Sequence, residues 1–206
     1  DEYGTCPTQS GANGVLDALY EWGDAYIAEH GHAPSSPEIA REHPTAYLRY
    51  PRATRLFQAR APPPVIRTGN LNEWQQELHD SLEEDADDRS ILFYVDPDGG
   101  KGKSWFQQYY VSTYPQKTQV LSIGRRDDLA HVIDENKTHF MFNVPRCGME
   151  FFQYTIVEQL KDQMIFSPKY NSRTKILRKK PHVVVFCNEE PDYSKMSDDR
   201  YVIKNI

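Results

Sequence analysis

Cysteine is scarce in this chain and poorly placed for cross-linking. Cys6, Cys147 and Cys187 are odd in number, far apart and never in Cys-x-x-Cys spacing, which excludes a disulfide framework and a thiolate zinc site and fits a reducing compartment. Long hydrophobic runs are missing as well. No stretch approaches the roughly 18–20 apolar residues of a membrane span and no signal-peptide pattern opens the chain, so the sequence reads as soluble and intracellular, without a membrane partner. An excess of positive charge is also absent. With 24 Lys and Arg against 30 Asp and Glu, the formal net charge of −6 excludes a globally basic nucleic-acid coat protein but permits a local basic groove. Internal repeats and low-complexity tracts are lacking. So is an initial Met; the chain opens on Asp1, which reads as a fragment of a longer polypeptide.

What is present suits one medium domain, or one with a smaller companion, since 206 residues can bury a sizeable core in either case. Up to residue 60 the apolar positions Val15, Leu16, Leu19, Tyr20, Tyr26 and Ile27 fall near helical spacing, and Ser35-Ser36-Pro37-Glu38 reads as a helix cap leading into Ile39. Ala61-Pro62-Pro63-Pro64 is a stiff break. The expected division is therefore a helical domain over 1–62 and a second domain over 63–206. The first is small enough to serve as an oligomerisation module or as a packing appendage. Beyond Leu71 the pattern predicts helix Asn72–Glu84, strand Ile91–Val95, helix Ser104–Val111, strand Gln119–Ile123 and helix Asp127–Asp134. Strand His139–Val144, helix Met149–Gln163 and strand Val183–Cys187 complete it. That alternation implies an α/β fold with a mostly parallel central sheet.

The strand Ile91–Val95 runs into Asp96-Pro97-Asp98-Gly99-Gly100-Lys101-Gly102-Lys103-Ser104 and then an amphipathic stretch. Glycines let successive N–H groups curl around an anion, a helix N-terminus adds its positive end, Lys103 reaches the outer phosphates and Ser104 can hold Mg²⁺. The expected ligand is a nucleoside triphosphate bound by Asp98, Gly99, Gly100, Lys101, Gly102, Lys103, Ser104 and Trp105. The usual opening glycine of such a loop is replaced by Pro97, so its conformational work passes to Gly99 and Gly100.

A triphosphatase of this plan needs an acid at the end of a second buried strand, to orient Mg²⁺ and the attacking water. The strand from His139 ends instead in Asn143, which lacks the charge; Glu135 or Glu150 could compensate. From Lys169 to Lys180 there are six basic residues and no acid, with Tyr170 available to stack. This suits a hairpin that tracks a nucleic-acid backbone through Lys169, Tyr170, Arg173 and Lys175. A further buried strand ends at Asn188, placed to sense the γ-phosphate, and Arg200 reads as an exposed residue able to act on a neighbouring subunit's nucleotide.

Taken in order, Trp74-Gln75, the Gly99–Ser104 loop, Phe142-Asn143-Val144-Pro145-Arg146, Lys169-Tyr170, Val184 through Pro191 and Asp199-Arg200 resemble the superfamily 3 helicase domain of replication initiator (Rep) proteins of circular single-stranded DNA viruses. The resemblance covers about residues 70–206, and Ile39-Ala40, His43-Pro44, Tyr47 and Arg49-Tyr50 look like the oligomerisation segment that precedes it. It implies an AAA+-like P-loop ATPase using ATP and Mg²⁺, assembled as a hexameric ring on single-stranded DNA and resident in the host nucleus. In that pattern Lys103 and Ser104 are the phosphate and Mg²⁺ residues, Asn143 stands where the acid belongs, Lys169 contacts DNA, Asn188 is the sensor and Arg200 the finger acting in trans. The family's nicking domain has a His-hydrophobic-His pair and a Tyr-x-x-Lys helix. Here His30-Gly31-His32 has Gly in the middle and Tyr114-Pro115-Gln116-Lys117 carries a helix-breaking Pro, so no nicking activity is expected. Two readings stand beside the motor: a weakly hydrolysing, ATP-binding assembly module, favoured by Asn143, and a small-molecule kinase, which leaves the basic hairpin unexplained.

Overall fold

The computed structural model describes residues 10–170 and 172–206. Cys6, and Asn171 of the expected hairpin turn, lie outside the described residues. The chain divides into two compact units, Asp1–Pro64 and Val65–Ile206.

The first unit is helical: α1 (Ser10–His30), α2 (Ser36–Glu42), α3 (Pro44–Arg49) and α4 (Ala53–Arg60). Leu19, Ile39, Ala46 and Phe57 form its buried centre. The cap read at Ser35 is present. The Glu38 carboxylate accepts from the Ser35 backbone N–H at 2.7 Å and from its hydroxyl at 2.6 Å, which fixes the start of α2.

The second unit holds α5 (Glu73–Glu83), β1 (Ile91–Val95), α6 (Lys103–Thr113), β2 (Thr118–Ser122), α7 (Arg126–Val132) and β3 (His139–Asn143). After them come α8 (Tyr154–Lys161), β4 (Met164–Ser167), β5 (Arg173–Ile176), β6 (His182–Cys187) and β7 (Tyr201–Asn205). Five strands make one sheet in the order β2-β3-β6-β1-β7, and every neighbouring pair in it is parallel. β1 and β6 are buried on both faces, as their near-continuous apolar sequences require. One layer of core gathers Phe93, Phe140, Phe142 and Val185 with α8. The other gathers Tyr94, Met141, Val184 and Phe186 with α5 and α6.

One expectation needs correction. The single helix over 149–163 is a short 3-10 turn, Met149–Phe151, followed by α8 from Tyr154. Phe152 is extended between them and packs edge-on against Phe93 and Phe142, with ring centroids 6.2 and 5.7 Å away; its burial interrupts the helix. β7 was not expected; it lies along β1, and Tyr201 stacks on Phe93 at 5.6 Å. The basic run forms the expected hairpin, whose strands β4 and β5 make an antiparallel pair apart from the five-stranded sheet. Among the described residues no helix is long and apolar enough to cross a membrane.

Candidate functional site

Register brings the carboxyl ends of three strands together. Val95 of β1 lies beside Cys187 of β6, and Phe186 lies beside Asn143 of β3. The loop after β1 therefore opens next to Asn188 and Asn143, where parallel sheets bind ligands. The Asp96 N–H donates to the Cys187 carbonyl at 3.1 Å, so the loop leaves the sheet from a fixed point. At its far end Gly102 precedes α6 with φ +92°, and its carbonyl accepts the first helical bond from Phe106 at 2.9 Å.

The N-terminus of α5 clamps this loop, which gives Trp74-Gln75 a physical role. Trp74 Nε1 donates to the Lys101 carbonyl and Gln75 Nε2 to the Gly102 carbonyl, both at 3.1 Å. Gln75 is itself fixed by a reciprocal cap with Asn72, at 3.1 and 3.0 Å. A Cβ on Gly102 would lie 2.8 Å from Gln75 Nε2, and one on Gly99, at φ +84°, 2.9 Å from an Arg146 nitrogen. Both positions thus require glycine for conformation, and a Cβ at either would also push aside the side-chain tip that holds the loop.

The loop closes on its own first residue. The Asp96 carboxylate, 1% exposed, accepts from the Gly99 N–H at 2.7 Å, the Lys101 N–H at 3.2 Å and Lys103 Nζ at 2.8 Å. Burial alone would push this carboxyl up, but Lys103 and the two N–H groups outweigh it and hold the pKa below the ordinary value. Asn188 Nδ2 donates to the Asp96 carbonyl at 2.6 Å. From the end of β3, Arg146 donates to the carbonyls of Pro97 at 3.1 Å and Asp98 at 2.6 Å. A cleft of about 520 Å³ results, lined by Asp96, Gly99, Gly100, Gly102, Lys103, Ser104, Trp105, Asn143, Arg146 and Asn188 among others. Asp98 and Lys101 lie exposed on the loop.

This arrangement can receive a polyanion: N–H groups, an ammonium and a helix start face one cleft. Among the described residues no cluster of three or more His, Cys, Asp or Glu could hold a metal ion. Ser104 and Asn143 in one cleft still fit Mg²⁺ that arrives on phosphates, because that ion usually keeps its waters and takes few protein ligands.

Sequence reasoning missed two residues here. Asp96 went unassigned because a carboxylate before a phosphate loop reads as a strand end. Arg146 stood in the motif without a role. The signal the sequence offered was its place three residues past the end of β3, on the carboxyl side of a buried strand.

The hairpin assignments divide. Lys169 forms an ion pair with Asp128 and is 40% exposed at its side chain. Tyr170, 87% exposed with φ +57°, stands at the tip near His131. Arg173 pairs with Glu135 at the surface. Such exposed pairs contribute little and exchange readily for phosphate. Lys175 is a correction. It is 6% exposed, and its ammonium donates at 2.6 Å to the carbonyls of both His131 and Ile133, at the C-terminus of α7. A cation there satisfies orphan carbonyls and the helix dipole, so this side chain faces the fold, not a nucleic acid. Burial lowers its pKa.

Arg200 is a second correction, since an exposed side chain was expected. It is 6% exposed, pairs with Glu158 of α8 at 3.3 Å and with Asp162 just past that helix at 3.0 Å, and is absent from the cleft lining. These two acids account for its burial. Of the nicking-like residues, His30 stacks on Tyr26 at 4.0 Å, and the Tyr114 hydroxyl meets His79 Nε2 at 3.0 Å.

No family model matches the chain. Curated relatives do. Para-Rep C2 of Milk vetch dwarf C2 alphasatellite is 38% identical over 141 residues, covering 66% of this chain and 48% of that protein. Para-Rep C1 of Faba bean necrotic yellows C11 alphasatellite matches to the same extent, so the chain spans about half the length of these relatives. Para-Rep C10 of Milk vetch dwarf C10 alphasatellite is 31% identical over 200 residues, covering 92% of this chain and 69% of that protein. Among solved structures, the NrS-1 C terminal region aligns with a TM-score of 0.38 and 12% identity, over 56% of this chain and 28% of that one. A likeness at that level carries no argument.

Proposed function

This chain belongs to the alphasatellite Para-Rep family, and on that premise we propose that it is the ATP-driven motor part of a replication initiator. It is a superfamily 3, AAA+-like P-loop ATPase that works on single-stranded DNA as a ring, most simply a hexamer, in the host nucleus. The observation that carries this reading is the convergence of Lys103, Ser104, Asn143 and Asn188 on one cleft at the carboxyl edge of a parallel sheet.

In this account the loop N–H groups from Gly99 to Ser104 and the Lys103 ammonium bind the phosphates of ATP. Ser104 and Asn143 would hold the Mg²⁺ that travels with them, which when bound would supply charge neutralisation on the phosphoryl oxygens. Asn188, fixed by the Asp96 carbonyl, orients water near the γ-phosphate. Arg146 ties the opening of the loop to β3. The hairpin tip, Lys169 and Tyr170 with Arg173 behind them, takes the DNA backbone and a base. Arg200 braces α8 in this conformation, so the finger role assigned to it in trans would require its release from Glu158 and Asp162.

ATP turnover of the wild type and of Lys103→Ala tests the reading: the variant should lose turnover and retain its fold. Equal turnover in both would refute it. A second reading, an ATP-binding assembly module that scarcely hydrolyses, is favoured by Asn143 alone. Asn143→Asp separates the two, because a large gain in turnover would mean that the site lacks only the acid.

A further inference from the structure

Asp96 is a carboxylate that the motor reading does not use, yet it holds the donors that reading assigns to phosphate. Its oxygens accept from Gly99 N–H, Lys101 N–H and Lys103 Nζ, while its 1% exposure leaves almost no water to replace them. We propose that Asp96 is a built-in rival anion, so that nucleotide enters by exchange, its phosphates displacing the Asp96 carboxylate from the loop amides and Lys103. This inference rests on the phosphate-binding reading of the loop and concerns the regulation of that same site.

The physics is a conflict over donors. One ammonium and two N–H groups cannot fully serve a carboxylate and a phosphate together, and two anions sharing one cradle repel. A buried carboxylate stripped of its partners is costly. Among the described residues the other side-chain donors of the cradle bond elsewhere: Asn188 Nδ2 donates to the Asp96 backbone carbonyl, and Arg146 to those of Pro97 and Asp98. Part of the phosphate-binding energy therefore goes into moving Asp96. Affinity falls, and the return of the carboxylate helps expel the product.

The test uses inorganic pyrophosphate without Mg²⁺, titrated calorimetrically into the 206-residue chain and its Asp96→Asn variant. The substitution removes the charge but keeps an oxygen that can accept from the Gly99 N–H. The variant should bind about tenfold more tightly, as expected for relief of one charge-assisted contact. Equal or weaker binding by a variant with an unchanged melting temperature would overturn the proposal while leaving phosphate binding intact. Binding by neither protein would overturn both it and the nucleotide reading. The wild type supplies an independent measurement. Its Asp96 carboxyl ¹³C resonance should move on adding pyrophosphate, and a resonance that stays fixed at saturation would also overturn the exchange.

Discussion

Gln75 donates its side-chain amide to the carbonyl of Gly102 at 3.1 Å, joining the capped start of α5 to the residue from which α6 departs. Without it, the last turn of the loop after β1 loses its outer wall. Gln75→Ala should cost about 1 kcal/mol in stability, the net worth of one such bond, and weaken ATP binding. Gly102→Ala should be worse, because it adds strain at φ +92° to a close contact. Thermal melts and ATP titrations of both variants check the order.

Arg146 acts on the loop's other end, through the carbonyls of Pro97 and Asp98. Where the usual opening glycine is replaced by Pro97, this guanidinium supplies an external hold. Arg146→Ala should lower ATP affinity about five- to tenfold, in line with the loss of a charged hydrogen-bond pair, with little change in melting temperature. Arg146→Lys should recover only part of the affinity, since a point charge cannot span both carbonyls.

Lys169 and Lys175 belong to one basic run but should behave oppositely. Lys169→Ala removes an exposed ion pair and should leave stability nearly unchanged while weakening single-stranded DNA binding. Lys175→Ala strands the His131 and Ile133 carbonyls and should destabilise by about 1–3 kcal/mol. Its DNA affinity per folded molecule should be unchanged. Fluorescence anisotropy with a labelled oligonucleotide, alongside urea titrations, separates the two effects.

The different fates of these lysines mark how far the sequence could be read. β1, its loop and α6 were legible because an apolar run, glycines and an amphipathic stretch each state a local preference that the fold obeys. The hairpin's register was not. On β5, Lys175 points inward while Ile176 is 63% exposed, an inversion of hydrophobic order explained only by the α7 carbonyls that Lys175 satisfies. Arg200 was misread for the same reason, since its acidic partners lie about forty residues away, on α8 and at its C-terminal cap. Asp96 became visible as a ligand of the loop only once the chain curled back on it.

At the amino edge of the sheet, His139 and His182 donate from Nε2 to the carbonyls of Leu82 and Glu84 at 3.0 and 2.9 Å, and so close the C-terminal end of α5. Burial drives the pKa of His139 down to about 4 and lowers that of His182. The unfolded His139 takes up a proton near its ordinary 6.5, whereas the folded one resists until about 4. Stability should therefore be full above pH 6.5 and fall as pH drops through this window. The His139 share of the loss is about 3 kcal/mol at roughly 1.4 per pKa unit. Urea midpoints of the wild type and His139→Gln between pH 7.5 and 4.5 check this; the variant's curve should be flatter.

The central claim is that this chain is a DNA-coupled ATPase that works as a ring. It is tested most directly by steady-state ATP hydrolysis with and without single-stranded DNA across a range of protein concentrations. The account predicts turnover per chain that climbs with concentration, rises further on DNA and vanishes in Lys103→Ala. Tight ATP binding with no turnover under any of these conditions would contradict it.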